Sequence, residues 1–153
     1  MAKPAPLIAV QTDDFDMSDC YQALVADNCE DGAVVTFVGR VREFNQGHNV
    51  ADMLLEHYPG MTEKALHELA QQAQSSFAIH RVSVIHRVGH LRLCDQIVFV
   101  GVSAAHRKDA FAACMWLMDE LKSRAPFWKK ETTTTGMRWV SAETMTQSSR
   151  PEQ

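Results

Sequence analysis

The sequence has no apolar run approaching the ~20 residues that a membrane-spanning helix needs. It also lacks G-x-G-x-x-G and any P-loop signature, so no nucleotide-binding motif supports a doubly wound fold. Its four cysteines, Cys20, Cys29, Cys94 and Cys114, contain no C-x-x-C pair, and His57, His86 and His90 show no metal-ligand spacing. No metal and no cofactor are therefore expected. Positive charge is in deficit: 15 Lys+Arg stand against 19 Asp+Glu, a formal net charge of −4. That argues against a general nucleic-acid surface, so any bound anion must be met by a local cluster of cations. The start, Met-Ala-Lys-Pro-Ala-Pro, lacks the apolar core of a secretory leader. The expectation is a reduced, cytoplasmic, soluble protein.

What is present suffices for one core, since 46% of the 153 residues are hydrophobic. A single domain over residues 1–140 and a polar, fraying tail over 141–153 are expected. Leu7–Gln11 reads as an edge strand after two prolines, and Met17–Asn28 as a helix behind the acidic lead Asp13, Asp14 and Asp16. After the Asp31-Gly32 turn, Ala33–Arg42 is strongly β-prone; alternation puts Arg40 and Arg42 on one face and Val41 on the other. Glu43–Asn49 reads as a polar loop, Val50–Tyr58 as a strand, and Thr62 as the cap of a helix running to Phe77. Ile79–Val88 alternates like a strand, with His86 a satisfied structural histidine, and Gly89–Asp95 is a turn. Gln96–Ala104 is apolar on both faces and reads as a central strand, followed by a helix over Ala105–Arg124 and a short strand Arg138–Val140. Hairpin-like neighbours dominate, which predicts an α+β domain whose mixed, mainly antiparallel sheet carries packed helices.

Cations crowd one stretch, Ser103–Glu131. His106 and Arg107 occupy the first turn of the long helix, where free N–H groups favour anions and cations cost ~0.3–1 kcal/mol. The placement makes sense if an anion binds there; the alternative is an exposed pair. Phe111, Met115, Met118 and Lys122 form one helical stripe with Cys114 and Leu121. Lys122 thus continues an apolar face, where it either snorkels to water or sits half-desolvated as a usable base or nucleophile. Beyond Pro126, Phe127-Trp128 re-aims the chain and brings Lys129 back towards Lys122, or else Lys129 and Lys130 belong to a charged surface turn. Cys114 reads as core packing.

Four segments in order, Asp31-Gly-Ala-Val-Val-Thr-Phe-Val-Gly-Arg-Val-Arg42, Leu55-Glu-His-Tyr-Pro-Gly-Met61, Val100-Gly-Val-Ser-Ala-Ala-His-Arg107 and Leu121-Lys-Ser-Arg-Ala-Pro-Phe-Trp-Lys-Lys-Glu131, closely resemble the large, catalytic subunit family of molybdopterin synthase. The resemblance spans roughly Asp31 to Val140. It implies an α/β-hammerhead fold and conversion of cyclic pyranopterin monophosphate to molybdopterin by installing two dithiolene sulfurs. It implies as partner a small ubiquitin-like subunit bearing a C-terminal Gly-Gly thiocarboxylate, and a heterotetramer built on a dimer of large subunits. Carried over by residue, substrate binding falls on Arg40, Val41, Arg42, His106, Arg107, Lys130 and Glu131, with Lys122 and Lys129 catalytic. Arg42, His106 and Arg107 are expected to hold the cyclic phosphate and pterin oxygens together. The family usually has glycine where Cys94 stands, which predicts a turn of altered shape, and Thr132–Thr135 and the tail match poorly. Two other functions compete: a phosphate-ester hydrolase using His106, and a non-catalytic module binding an anion or a ubiquitin-like protein.

Overall fold

The computed structural model describes residues 3–45, 48–133 and 136–141. β1 (Leu7–Gln11) leads into α1 (Met17–Val25), whose N-terminus is capped by the Asp16 carboxylate accepting from the Asp19 N–H at 3.1 Å. α1 stops short of the expected Asn28. Asp27 takes a left-handed φ of 54°, and the Asn28 amide turns back to the Leu24 carbonyl. β2 (Ala33–Arg40), β3 (Phe44–Asn45) and β4 (His48–His57) follow, so the expected Glu43–Asn49 loop already carries strand pairing; its residues 46–47 lie outside the described residues. α2 (Met61–Ser76) is entered through Gly60, at φ 84°, whose N–H donates to Glu63. Thr62 therefore does not cap. It is fully buried, and its hydroxyl donates to the Pro126 carbonyl at 3.3 Å, tying α2 to the segment after the last helix.

β5 (Val82–Arg87), β6 (Gly89–Arg92), β7 (Gln96–Ala104) and α3 (Arg107–Arg124) complete the central part. The expected turn at Gly89–Asp95 begins as strand β6, and α3 starts two residues later than the sequence suggests. The largest departure comes next: β8 (Phe127–Thr133) is a strand where a charged surface turn was one alternative, and it pairs antiparallel with β9 (Gly136–Ser141), which contains the expected strand Arg138–Val140. Ser141 ends β9, and the rest of the expected polar tail lies outside the described residues. None of the described helices is long and apolar enough to cross a membrane.

The first sheet has the order β1-β5-β7-β2, with β1 parallel to β5 and the other pairs antiparallel. The second has the order β3-β4-β8-β9, with β6 also paired to β4, and is wholly antiparallel. This is the mixed, mainly antiparallel α+β arrangement the pattern predicts. β7 is buried on both faces. Val98, Val100 and Val102 join the core under α2 and α3, whereas Phe99 packs beneath α1 with Phe15, Cys20 and Leu24. Each such side chain contributes roughly 1.5–3 kcal/mol of transfer free energy. Gly101 allows α1 to close on β7, since a Cβ there would lie 2.5 Å from Leu24 Cδ1.

Candidate active site

Two groups of the expected residues stand on two ends of the first sheet. At one end β7 delivers the chain to α3. His106 is the N-cap, in extended conformation with no side-chain cap bond, and Arg107 is the first helical residue; both are exposed. The first-turn N–H groups of an 18-residue helix and two potentially cationic side chains thus share one small surface.

The other end gathers the exit of β2, the end of α3 and the start of β8. A register shift at Gly39/Arg40 ends β2, so Arg42 lies beyond the strand; Arg40 and Arg42 are both exposed on either side of Val41, which is 3% exposed. Val41 is pinned to the neighbouring turn through its N–H to the Asp95 carbonyl at 2.9 Å and its carbonyl from the Cys94 N–H at 2.8 Å. Arg40 Nε donates to the Cys94 carbonyl at 3.2 Å. Cys94 has φ 70°, the left-handed conformation a glycine adopts freely. The cysteine takes the glycine-like conformation itself, and the turn holds Arg40 directly.

Lys122 is half-buried beside Met118 and Leu121 at the end of α3. After Pro126 the chain enters the second sheet, where Lys129 pairs with Leu55 of β4 and is only 5% exposed. Among the described residues it is the only lysine or arginine in the buried set. Lys130 and Glu131 follow in register with Leu54 and Met53. β8 is anchored by Phe127, whose ring stacks on His86 at 3.8 Å and 19°. His86 donates from Nδ1 to the Arg87 carbonyl at 2.9 Å. Burial drives its pKa down to about 4, against the raising effect of that hydrogen bond, so the ring under Phe127 is neutral at pH 7.

The two ends do not meet within one chain. In the β2–β7 ladder Ala33 is opposite Ala104 while Arg40 is opposite Gln96, a separation of roughly 23 Å at strand rise. From His106 to Lys122 the helix itself covers about 24 Å. The expected clamp of Arg42 with His106 and Arg107 is therefore not formed by a single copy. The helical stripe also needs correction. Phe111 and Met115 are 63% and 66% exposed, and the face α3 buries is Ala110, Ala113, Cys114, Leu117, Met118 and Leu121. Cys114 belongs to that core, and burial pushes its thiol up to about 11, far from a working nucleophile. Among the described residues no group of three or more His, Cys, Asp or Glu could hold a metal ion. Thr62, His86 and Phe127, which fix the path of β8, carried no sequence signal of that role; their partners are remote in the chain.

The profile of the family described as MoaE protein matches residues 10–124. The molybdopterin synthase catalytic subunit of Vibrio cholerae is 56% identical over 135 residues, which are 88% of this chain and 89% of that protein. The molybdopterin biosynthesis MoaE protein of Burkholderia ambifaria has a similar structure, with a TM-score of 0.77 at 53% identity over 90% of each chain. A complex of subunits 1 and 2 of the molybdopterin-converting factor from Helicobacter pylori aligns with a TM-score of 0.69 over 90% of each chain; at 16% identity that likeness concerns the fold.

Proposed function

Because this chain belongs to the MoaE family, the catalytic subunits of molybdopterin synthase, we propose that it transfers sulfur from a small ubiquitin-like subunit to cyclic pyranopterin monophosphate. The donor is the C-terminal thiocarboxylate of that subunit, and the product is the dithiolene of molybdopterin. The chain is thus the catalytic subunit of an enzyme of molybdenum cofactor biosynthesis. A reduced cytoplasmic setting suits four cysteines that are all free.

Lys129 carries the chemical part of the proposal. A lysine on a buried strand position costs desolvation, and that cost is useful where negative charge must be met in a water-poor site. The thiocarboxylate sulfur displaces oxygen at a carbon of the pterin side chain: a C–S bond forms as a C–O bond breaks, the oxygen leaving with its phosphate or, once protonated, as water, and the partner's tail stays joined to the substrate as a thioester. Water then takes the acyl group, which releases the tail as a carboxylate and leaves the sulfur on the substrate. Lys129 stabilises the charge moving through the first step. Lys122, at the edge of the same end, engages the acyl carbonyl and moves the protons of the second. Arg40, Arg42, Lys130 and Glu131 orient the substrate around Val41.

The distance between the two ends supports a site shared by two copies. β2 is the outer strand of its sheet, Phe37 on it is 38% exposed, and Phe111 and Met115 lie one helical turn apart on the α3 surface. A two-fold axis through this face sets the two β2 strands antiparallel. One copy's His106 and Arg107 then approach the other copy's Arg40, Lys122 and Lys129. The pterin and its phosphate span that junction.

Mass spectrometry of the product, after mixing with thiocarboxylated partner and precursor, tests the proposal. A gain of two sulfurs is expected. An opened cyclic phosphate without partner would indicate a hydrolase, and an unchanged substrate a binding module. Lys122→Ala and Lys129→Ala should each lower turnover by about 10²-fold or more while both ligands still bind; full turnover in Lys122→Ala with normal binding would refute its assignment.

A further inference from the structure

The turn that presents His106 and Arg107 is buttressed by a buried carboxylate. The Asp31 side chain is 7% exposed, and three donors converge on it. Asn28 Nδ2 donates at 2.6 Å and His80 Nδ1 lies at 3.0 Å, both to Oδ2, while the Ser103 hydroxyl supplies a further hydrogen bond. Burial alone would raise the Asp31 carboxyl, but these bonds and the His80 charge hold it below the usual carboxylate range. Ser103 is fully buried near the end of β7; its hydroxyl accepts from the Arg81 N–H at 3.0 Å and its carbonyl from the His80 N–H at 2.7 Å. One residue beyond Asp31, a Cβ on Gly32 would lie 2.8 Å from the Ala105 carbonyl oxygen. The α1–β2 connection therefore presses on the backbone immediately before His106, and Asp31 sets how close it comes.

We propose that Asp31 is a positioning residue for anion binding: its carboxylate, held by Asn28, Ser103 and His80, fixes the β7–α3 connection and thereby aims His106 and Arg107 at the substrate phosphate. This rests on the assignment of His106 and Arg107 to phosphate binding. Nothing about Asp31 requires it to touch the ligand. Its effect is on geometry, and displacement of a binding group by a fraction of an ångström is enough to lose affinity.

The discriminating variants differ by single donors. Asp31→Asn turns one acceptor into an amide that faces donors. His80→Ala removes a donor from a residue that is 35% exposed and so tolerant of change. His80→Asn keeps a donor where Nδ1 stood. Binding of cyclic pyranopterin monophosphate to the full chain is measured by calorimetry well below each variant's melting temperature, with Arg107→Ala as reference. Asp31→Asn and His80→Ala should weaken binding about tenfold, His80→Asn should restore it, and affinity for the small subunit should not move. If Arg107→Ala loses affinity while Asp31→Asn and His80→Ala bind like the parent, the positioning role is refuted. If Arg107→Ala itself binds like the parent, the phosphate assignment fails, and the positioning role with it.

Discussion

His86 makes the stability of this fold depend on pH over a defined window. Its ring is 4% exposed beneath Phe127, and burial places its folded-state pKa near 4, whereas an unfolded histidine titrates near ~6.5. Between those values the unfolded chain binds more protons, so stability falls as pH falls. Linkage gives a loss of about 1 kcal/mol at pH 5.5 and about 3 kcal/mol at pH 4, relative to neutral pH. Asp14 and Asp31, whose carboxyls are held low, lose their contributions only below the ordinary carboxylate range, outside most of this window. The perturbation is His86→Asn, which keeps a donor for the Arg87 carbonyl but does not titrate. Urea unfolding of parent and variant at pH 7, 5.5 and 4 should show the variant less stable at pH 7 through the lost ring stack. The gap should then close by about 3 kcal/mol as pH reaches 4. Parallel curves would mean that His86 is not held neutral by the core.

Two other predictions test separate parts of the structure. Cys94→Gly should raise stability by about 1 kcal/mol, because a left-handed residue loses its Cβ penalty, with the Arg40 contact and substrate affinity retained; a lower melting temperature would contradict the left-handed turn. Phe111→Asp combined with Met115→Asp should convert a dimer of this chain to monomers in sedimentation with little change in monomer stability, since both side chains are exposed. An unchanged sedimentation coefficient would remove the α3 face from the interface.

The elements legible in the sequence are those whose pattern is set by their own residues. β7 is apolar on both faces and buried on both; β5 alternates and packs accordingly. β8 was opaque because the run Lys129, Lys130 and Glu131 carries no apolar alternation to mark a strand, while the β4 partners that make it one lie some 75 residues earlier in register. On α3, spacing joined Phe111 and Met115 to the buried stripe. Periodicity marks apolar residues but cannot tell a face closed by the chain's own core from one left to another surface. Motif matching brought Arg42, His106 and Arg107 into one group, and strand register separated them. The Asp31–His80 contact has no local signature, since the two residues meet only through the packing of β7 against its neighbours.

Complementation between two defective copies tests the shared site most directly. Lys129→Ala and Arg107→Ala are each expected to be inactive as homodimers. After subunit exchange, a mixed dimer holds one site with both lesions and one with neither, so random mixing should restore about a quarter of the parent turnover. Turnover no higher than the two separate variants, in a sample shown to contain mixed dimers, would contradict a site built from two chains.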